Sequence, residues 1–496
     1  MSALKKLFGD TAIYGLSSIL GRFLNWALFP LFVAVLEPGE YGIVTQLYAY
    51  VAVFMVILTY GMETSFFRFA TENNDKRKSF STAFISLSVS TLIFLLVIGF
   101  TRYPIARYLG DGTLPYYVLI MALILGLDVI SAIPFSYLRA ENRAKLFATL
   151  KLVNIAVNIS SNLFFLLLCP FLIEKYQIAW LDKIYFHNNK EAYIFISNLL
   201  ASVVTLLMLV PYIRRNVHAF DKRLLNKMLE YGLPIMFVGL MGMLGLQSDK
   251  MLLPKLINDG SDPKASLGIY SAASKIAMIL TMFTQAFKYA FEPFFFARGK
   301  DADRKIYVDT LNFFVIAGLL AFLGVLLYQD QIKLIIPEQY WSGLSIVPFI
   351  LMGNLFLGVY YVLSVWYKLT DNTIFGAIIS AAGAVSIIAL NFILIPTIGM
   401  IGSAMAMMFG YGLMCILSYA IGQKHFPVDY KIQKAFVYLL VAILIYMLAL
   451  FIRQQVQGTI LLFAIHSLLL LIFLAFIAYT ERNTINDLIN KRKRNL

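Results

Sequence analysis

The amino-acid sequence predicts an all-α, polytopic membrane protein with about fourteen transmembrane helices. Of its 496 residues, 60% are hydrophobic and 14% are charged, whereas soluble domains carry roughly 25% charged residues. The apolar residues come in runs of about 18 to 25, which is long enough to cross a hydrocarbon core of about 30 Å. Short polar connections separate these runs, so no large soluble domain is expected.

Fourteen hydrophobic runs mark the predicted transmembrane helices. Glycine and proline occur inside several of them, and membrane helices tolerate both residues. The predicted segments are 10–35, 41–67, 80–101, 114–135, 147–169, 191–213, 230–254, 266–292, 306–328, 343–365, 374–396, 400–422, 433–452 and 459–479.

Basic residues are distributed unevenly between the connections, and this distribution predicts the topology. With the N-terminus in the cytoplasm, the inside connections contain 28 Lys and Arg residues, if Lys151 and Lys434 at the helix starts are counted with the connections 136–151 and 423–434, and the outside connections contain 9. This bias places both termini on the cytoplasmic side of the cytoplasmic (inner) membrane. The first run contains Arg22 and Asn25 and has no small-residue cleavage pattern, so we predict a retained helix rather than a signal peptide.

A weak internal repeat predicts the domain organisation. The stretch EPGEYGIVTQLYAY (37–50) after the first helix resembles DPKASLGIYSAASK (262–275) after the seventh. An offset of six helices preserves orientation, as in the parallel repeats of transporters. The predicted units are an N-terminal lobe at 1–213, a cytoplasmic linker at 214–229, a C-terminal lobe at 230–422, two further helices at 433–479 and a basic cytoplasmic tail at 480–496.

Sequence motifs for covalent chemistry are missing. There is no Gly-rich phosphate loop, paired-histidine motif or nucleophile elbow, and the four histidines and two cysteines are scattered. We therefore expect a transporter rather than an enzyme, with no metal or organic cofactor, while H⁺ or Na⁺ stays open as a coupling ion. The loop bias accounts for the net charge of +14, so nucleic acid is not an expected partner.

Charged residues within the hydrophobic runs are the main candidates for substrate binding. A charge at the centre of a membrane helix costs roughly 2.5–3.5 kcal/mol or more, so it is expected to face the protein interior or a water-filled cavity. Arg22 in the first helix, Lys250 in the seventh and Lys275 in the eighth are such residues. Arginine offers phosphate a bidentate donor and lysine a point charge, which favours an anionic substrate. The alternative is that each cation pairs with a buried acid.

Uncharged polar residues at helical spacing extend the candidate site. They are Asn25 in the first helix, Asn154 and Asn158 in the fifth and Gln285 in the eighth. Their amides suit either sugar hydroxyls or hydrogen bonds between helices.

Three acidic residues, Glu63, Asp128 and Asp249, are candidates for ion coupling. Each would either bind H⁺ or Na⁺ or neutralise a buried cation, and both roles stay open. Adjacent residues project about 100° apart on a helix, which predicts different partners for Asp249 and Lys250.

Several stretches together resemble polysaccharide and oligosaccharide-lipid exporters of the multidrug/oligosaccharidyl-lipid/polysaccharide superfamily. Each stretch is short, but their order and spacing extend over the whole chain. They are GLSSILGRFLNWALFPLF (15–32), LEPGEYGIV (36–44), YGMETSFFRF (60–69), LRAENRAKLFA (138–148), YGLPIM followed by SDKMLL (231–253) and LGIYSAASKIA (267–277).

The resemblance implies a flippase that moves undecaprenyl-diphosphate-linked sugar units to the outer leaflet for O-antigen, capsule or a related polymer. It implies two six-helix, pseudo-symmetric lobes that open alternately, plus two C-terminal helices lining a groove for the polyprenyl tail. On this interpretation Arg22 and Lys275 hold the diphosphate and Lys250 assists. The expected partners are the polyprenyl-diphosphate-linked glycan, membrane lipid and the polysaccharide polymerase machinery.

Three other functions stay open at this stage. A multidrug or cation antiporter of the same superfamily would depend on the three acidic residues, and a lipid-linked peptidoglycan precursor flippase would differ only in cargo. A membrane-embedded polymerase, ligase or glycosyltransferase is disfavoured, because the longest connection, 170–190, has only about twenty residues.

Overall fold

The computed structural model describes residues 20–21, 23–24, 26–72, 76–298, 304–370, 372–456 and 458–482. This part of the chain folds into helices and contains no β-strand. The all-α prediction is confirmed.

The helices are numbered in chain order. The first nine are α1 (Phe29–Val35), α2 (Pro38–Thr59), α3 (Met62–Glu72), α4 (Lys76–Leu109), α5 (Pro115–Ala140), α6 (Ala144–Leu163), α7 (Cys169–Tyr176), α8 (Ala179–Ile184) and α9 (Glu191–Asn216). The others are α10 (Lys222–Leu256), α11 (Pro263–Arg298), α12 (Arg304–Leu327), α13 (Gln329–Ile332), α14 (Val347–Leu363), α15 (Val365–Leu369), α16 (Thr373–His425), α17 (Ile432–Gln455) and α18 (Thr459–Thr480). A π-helical turn at Phe164–Leu168 joins α6 to α7, and a 3₁₀ helix at Glu338–Ile346 precedes α14.

Twelve helical segments of the described residues are long and apolar enough to cross a membrane, so the chain is a multi-pass membrane protein. One of them, α16, is 53 residues long, but its backbone leaves helical geometry at Ile398 and Gly399, where Gly399 has a φ of 59°. This break separates the two helices predicted at 374–396 and 400–422. The first predicted helix, 10–35, lies largely outside the described residues, so fourteen is an approximate count.

The helices group into two compact units. Unit 1 comprises 1–272 and 388–400, and unit 2 comprises 273–387 and 401–496. The linker predicted at 214–229 lies inside unit 1, where α10 begins at Lys222. The boundaries of the predicted lobes stay a prediction.

Two glycines of the internal repeat lie against each other in unit 1. A Cβ atom on Gly42 would overlap the backbone carbonyl of Lys264, and a Cβ atom on Gly268 would overlap that of Pro38. Glycines allow membrane helices this close approach. The start of α11 therefore packs backbone to backbone against the start of α2.

Lys264, predicted to lie in an outside connection, is buried beside this crossing with 7% of its surface exposed. Its Nζ donates to Gln46 Oε1, to the Leu109 carbonyl at 2.8 Å and to Thr113 Oγ1 at 3.2 Å. A buried ammonium is tolerated when all its protons are hydrogen-bonded. Lys264 thereby ties α11 to α2 and to the connection between α4 and α5.

Polar contacts at both ends hold the C-terminal helices of unit 2 against α12 and α13. Glu481, just after α18, is 6% exposed; it pairs with Lys434 Nζ at 2.6 Å and accepts a hydrogen bond from Asn312 Nδ2 at 2.6 Å. Near the other end of these helices, Arg453 Nε lies 3.1 Å from Asp330 Oδ2. The pair α17–α18 is thus fixed to its unit at both ends.

Candidate functional site

An ion pair joins α3 to α5 near the ends of both helices. Arg139 Nη2 donates to Glu63 Oε2 at 2.9 Å, and Ser136 Oγ donates to the same oxygen at 3.1 Å. The guanidinium also lies 5.0 Å from the centroid of the Phe67 ring. The Arg139 and Glu63 side chains are 38% and 39% exposed. The charge of this predicted ion-coupling residue is compensated by a cation of the neighbouring helix.

Asp128 and Asn154 both contact α9. Ser202 Oγ donates to Asp128 Oδ1 at 2.8 Å, and Asn154 Nδ2 donates to Thr205 Oγ1 at 2.9 Å. Ser202 and Thr205 are three residues apart and therefore face the same way. The structure thus brings two predicted site residues, from α5 and α6, to one face of α9.

Lys151 completes this group and was not selected from the sequence. Its Nζ lies 4.1 Å from the centroid of the Phe135 ring. The ammonium is exposed and forms no ion pair within 4.0 Å among the described residues, and it lies within longer electrostatic range of Asp128 and Glu63. In the sequence, Lys151 is the last residue of the predicted inside connection 136–151. Because α6 begins at Ala144, Lys151 lies about two turns inside the helix.

Glu63, Asp128, Arg139 and Lys151 together form what we call the four-charge cluster of unit 1. It contains two carboxylates and two cations, so its formal charge is zero. A site for an additional cation needs uncompensated negative charge. Within the cluster, Glu63 is compensated by a direct ion pair with Arg139, whereas Asp128 accepts a hydrogen bond from Ser202.

Asp249 forms a second polar group with residues of α10 and α11. Tyr270 Oη donates to Asp249 Oδ2 at 2.9 Å, and Lys250 Nζ lies 3.6 Å from Asp249 Oδ1. Lys250 Nζ also donates to Gln247 Oε1 at 3.1 Å. The prediction that Asp249 and Lys250 have different partners is confirmed for their side-chain hydrogen bonds, although the two side chains also form a long ion pair. The lysine side chain is long enough to curl back to its neighbour despite the angle between the two Cα–Cβ bonds.

The other predicted binding residues lie in different places. Asn158 Oδ1 accepts from Asn162 Nδ2 at 3.1 Å within α6, so it serves its own helix. Lys275 and Gln285 are half-buried on the part of α11 that belongs to unit 2. Arg22 and Asn25 lie outside the described residues.

One carboxylate outside the membrane-spanning segments has a strongly shifted acidity. Asp221 caps the start of α10, accepting from the backbone N–H groups of Arg223 at 2.8 Å and Leu224 at 3.0 Å. Lys78 Nζ lies 2.6 Å from its other oxygen. The hydrogen bond from Lys78, followed by these N–H groups, lowers the pKa of Asp221 from 3.8 to about 2.

The described residues contain no group of three or more His, Cys, Asp or Glu side chains placed to hold a metal ion. Glu63, Asp128, Asn154 and Asp249 are each hydrogen-bonded to a side chain of another helix, whereas Asn158 and Lys250 are bonded within their own. Their chemistry is that of hydrogen bonding and charge compensation in a membrane.

Comparison with protein families decides the assignment of the chain. The family model described as polysaccharide biosynthesis protein matches residues 7–296, which is more than half of the sequence. The chain belongs to this family. No curated protein matches the chain.

Solved structures show which fold the family member adopts. The lipid II flippase MurJ in an inward closed conformation matches with a TM-score of 0.72 and 16% identity, over 95% of this chain and 99% of that one. An inward-facing multidrug resistance MATE family transporter of the MOP superfamily matches with a TM-score of 0.62 and 14% identity, over 82% of this chain and 94% of that one. Its outward-facing counterpart has a TM-score of 0.57 and 14% identity, over 84% and 94% of the two chains. At these identities the likeness establishes the fold.

Proposed function

We propose that this protein is a flippase that carries a polyprenyl-diphosphate-linked oligosaccharide across the cytoplasmic membrane for polysaccharide biosynthesis. One observation carries the proposal: a member of a polysaccharide biosynthesis family shares 95% of its length with the fold of a protein named as a lipid flippase. The two MATE transporters match smaller shares of this chain, 82% and 84%. The exported units are expected to be built into O-antigen or capsule-like polymers.

The proposed mechanism is alternating access with both chain termini in the cytoplasm. The headgroup crosses through a polar interior while the polyprenyl chain stays in lipid, because only the headgroup is costly to place in hydrocarbon. Arg22 and Lys275 are proposed to hold the diphosphate. Lys250 is engaged by Asp249, so it contributes only after that contact opens.

Sugar recognition is proposed for the amide residues. Asn154 Nδ2 donates to Thr205 Oγ1 of α9, and this contact fixes the orientation of the amide. Asn25, Asn158 and Gln285 are the other candidates from the sequence. H⁺ or Na⁺ coupling and contact with the polymerase machinery are compatible additions to the proposal, not part of it.

The test is a reconstituted flipping assay with a defined polyprenyl-diphosphate oligosaccharide in proteoliposomes. Hydrogen bonds to charged groups contribute about 1.5–3 kcal/mol, so Arg22→Ala and Lys275→Ala should each slow flipping roughly 10- to 100-fold. Lys175→Ala is the matched control, since Lys175 lies at the end of α7 against Phe171 and Tyr176 and has no proposed role. Normal flipping by both variants would reject the assigned residues, and no flipping by the wild type would reject the function.

The antiporter alternative is tested in the same vesicles. It predicts ion-driven efflux of cationic dyes that depends on Glu63, Asp128 or Asp249. Each of these carboxylates already accepts a hydrogen bond from a neighbouring side chain, which favours the flippase. Dye efflux that Asp128→Asn abolishes, without flipping of any lipid, would replace the proposal. Preference for a peptidoglycan precursor over the oligosaccharide would change only the cargo.

A further inference from the structure

A cavity of about 690 Å³ opens between the end of α3, the start of α4 and the end of α5 in unit 1. This volume is in the range of small-molecule sites. The cavity lies where three membrane-spanning segments terminate, at 71, 76 and 140. Lipid headgroups occupy this depth in a bilayer.

The charged lining of the cavity is asymmetric. Lys76, Arg77 and Glu141 line it. Lys76 Nζ pairs with Glu141 Oε1 at 3.2 Å, whereas Arg77 has no carboxylate within 4.0 Å among the described residues. The three side chains leave a net charge of +1, carried by an exposed guanidinium.

The rest of the lining is amphipathic. Phe67, Ala70 and Ala140 supply apolar walls, and Tyr137 supplies a phenol group. Arginine binds phosphate oxygens through two parallel hydrogen bonds, and a phenol is a further donor. An apolar wall beside such donors suits a phosphate attached to a less polar group.

We propose that this cavity binds a singly charged phosphate group, with Arg77 as its principal donor. One negative charge neutralises the net +1 of the lining. The source is either a phospholipid headgroup or phosphate free in solution, since both present the same oxygens. The wall residue Phe67 also contacts Arg139, so the occupied cavity lies next to the four-charge cluster. The proposal is independent of flipping, because binding is measured without transport.

The experiment uses the full-length protein in a neutral detergent. Native mass spectrometry measures retention of phosphatidylglycerol, with diacylglycerol as the phosphate-free comparison. A thermal shift assay compares inorganic phosphate with chloride at the same ionic strength. The wild type should retain phosphatidylglycerol preferentially, or should show a higher Tm with inorganic phosphate. The first result assigns the lipid source and the second the soluble source.

Three variants separate the cavity from general surface charge. Arg77→Gln should weaken binding at least about tenfold, as expected for loss of a charged hydrogen bond. Ala140→Phe keeps every charge but places a phenyl ring in the cavity beside Tyr137 and Glu141, and it should weaken binding by narrowing the space for the phosphate. Lys145→Gln removes an exposed charge near the start of α6, outside the cavity, and should bind like the wild type.

Two results would overturn the proposal. One is a wild-type protein that retains phosphatidylglycerol no better than its comparison lipid and whose Tm does not rise with inorganic phosphate. The other is a loss of binding in Lys145→Gln as large as in Arg77→Gln, or unchanged binding in Ala140→Phe, because either shows diffuse attraction to basic residues. The Tm of each variant without ligand checks that it is folded.

Discussion

At the scale of single residues, the pair Glu63–Arg139 separates two roles for an acidic side chain in a transporter. A carboxylate that binds a coupling ion is required for transport whatever its neighbours are. A carboxylate that compensates a cation is required only while that cation is present. The hydrogen bonds from Arg139 and Ser136 to one Glu63 oxygen indicate the second role. Removing one partner leaves the other charge uncompensated.

We predict that Glu63→Gln lowers stability by about 1–2 kcal/mol, a value reduced from that of a fully buried pair because both side chains are partly exposed. The double variant Glu63→Gln/Arg139→Gln should regain much of the stability and of the flipping rate. Thermal unfolding and the vesicle assay measure both. A double variant that is stable but inactive would instead give Glu63 a direct role in transport.

The Asp221–Lys78 contact predicts a pH dependence at the start of α10. The pKa of Asp221 is lower in the folded chain than its ordinary value, so its ionised form is stabilised by folding. That contribution is complete above about pH 4 and is lost as the pH falls towards about 2. Asp221→Asn keeps an N-cap acceptor but loses the ion pair, so its Tm should be lower than that of the wild type at pH 7. The difference should narrow below pH 4, and a constant difference would contradict the assignment.

Residue partners were the least predictable part of the site. Helical periodicity places Asp128 and Asn154 on polar faces, and the structure pairs both with α9. Helical periodicity does not show which neighbouring helix supplies the hydrogen-bonding partner. Arg139 and Lys151 were missed because their positions near connections suggested a topological role, and Lys151 in fact lies inside α6.

At the scale of helices, the crossing of α2 and α11 depends on two glycines. We predict that Gly268→Ala destabilises the protein by about 1–3 kcal/mol, because the new methyl group must displace the backbone of Pro38. Gly242→Ala is the matched control within α10, where an added Cβ has nothing within 4 Å. It should be neutral or stabilise by up to about 1 kcal/mol through helix propensity. Thermal unfolding in detergent measures both, and equal effects would refute close packing at Gly268.

Helix positions followed from the sequence because hydrophobic length is a strong constraint in a membrane. The break at Ile398 and Gly399 separates the two predicted segments, and Pro396 precedes it. Helix ends were less predictable. α4 continues to Leu109, well past the predicted end at 101, because the apolar run stops before the helix does.

At the scale of the whole molecule, topology is the prediction with the widest consequences. After replacement of Cys169 and Cys415 by serine, Asp111→Cys places a single thiol in the connection between α4 and α5, and Lys145→Cys places one at the start of α6. Both positions are exposed. A membrane-impermeant maleimide should label Asp111→Cys in intact cells and Lys145→Cys only after permeabilisation. The opposite pattern would invert the orientation derived from the basic residues. It would also move the proposed phosphate site to the outer face.

The last two long helices, α17 and α18, are an integral part of unit 2. Glu481 holds Asn312 of α12 at one end of the pair, and Arg453 holds Asp330 beyond the other end of α12. A chain trimmed after α16 would therefore deprive Asn312 of its acceptor and Asp330 of its closer cation, leaving Asp330 with Lys333 at 3.6 Å. These two contacts lie at opposite ends of α17 and α18. We therefore expect α17 and α18 to move together with α12 as one rigid body in any conformational change of unit 2.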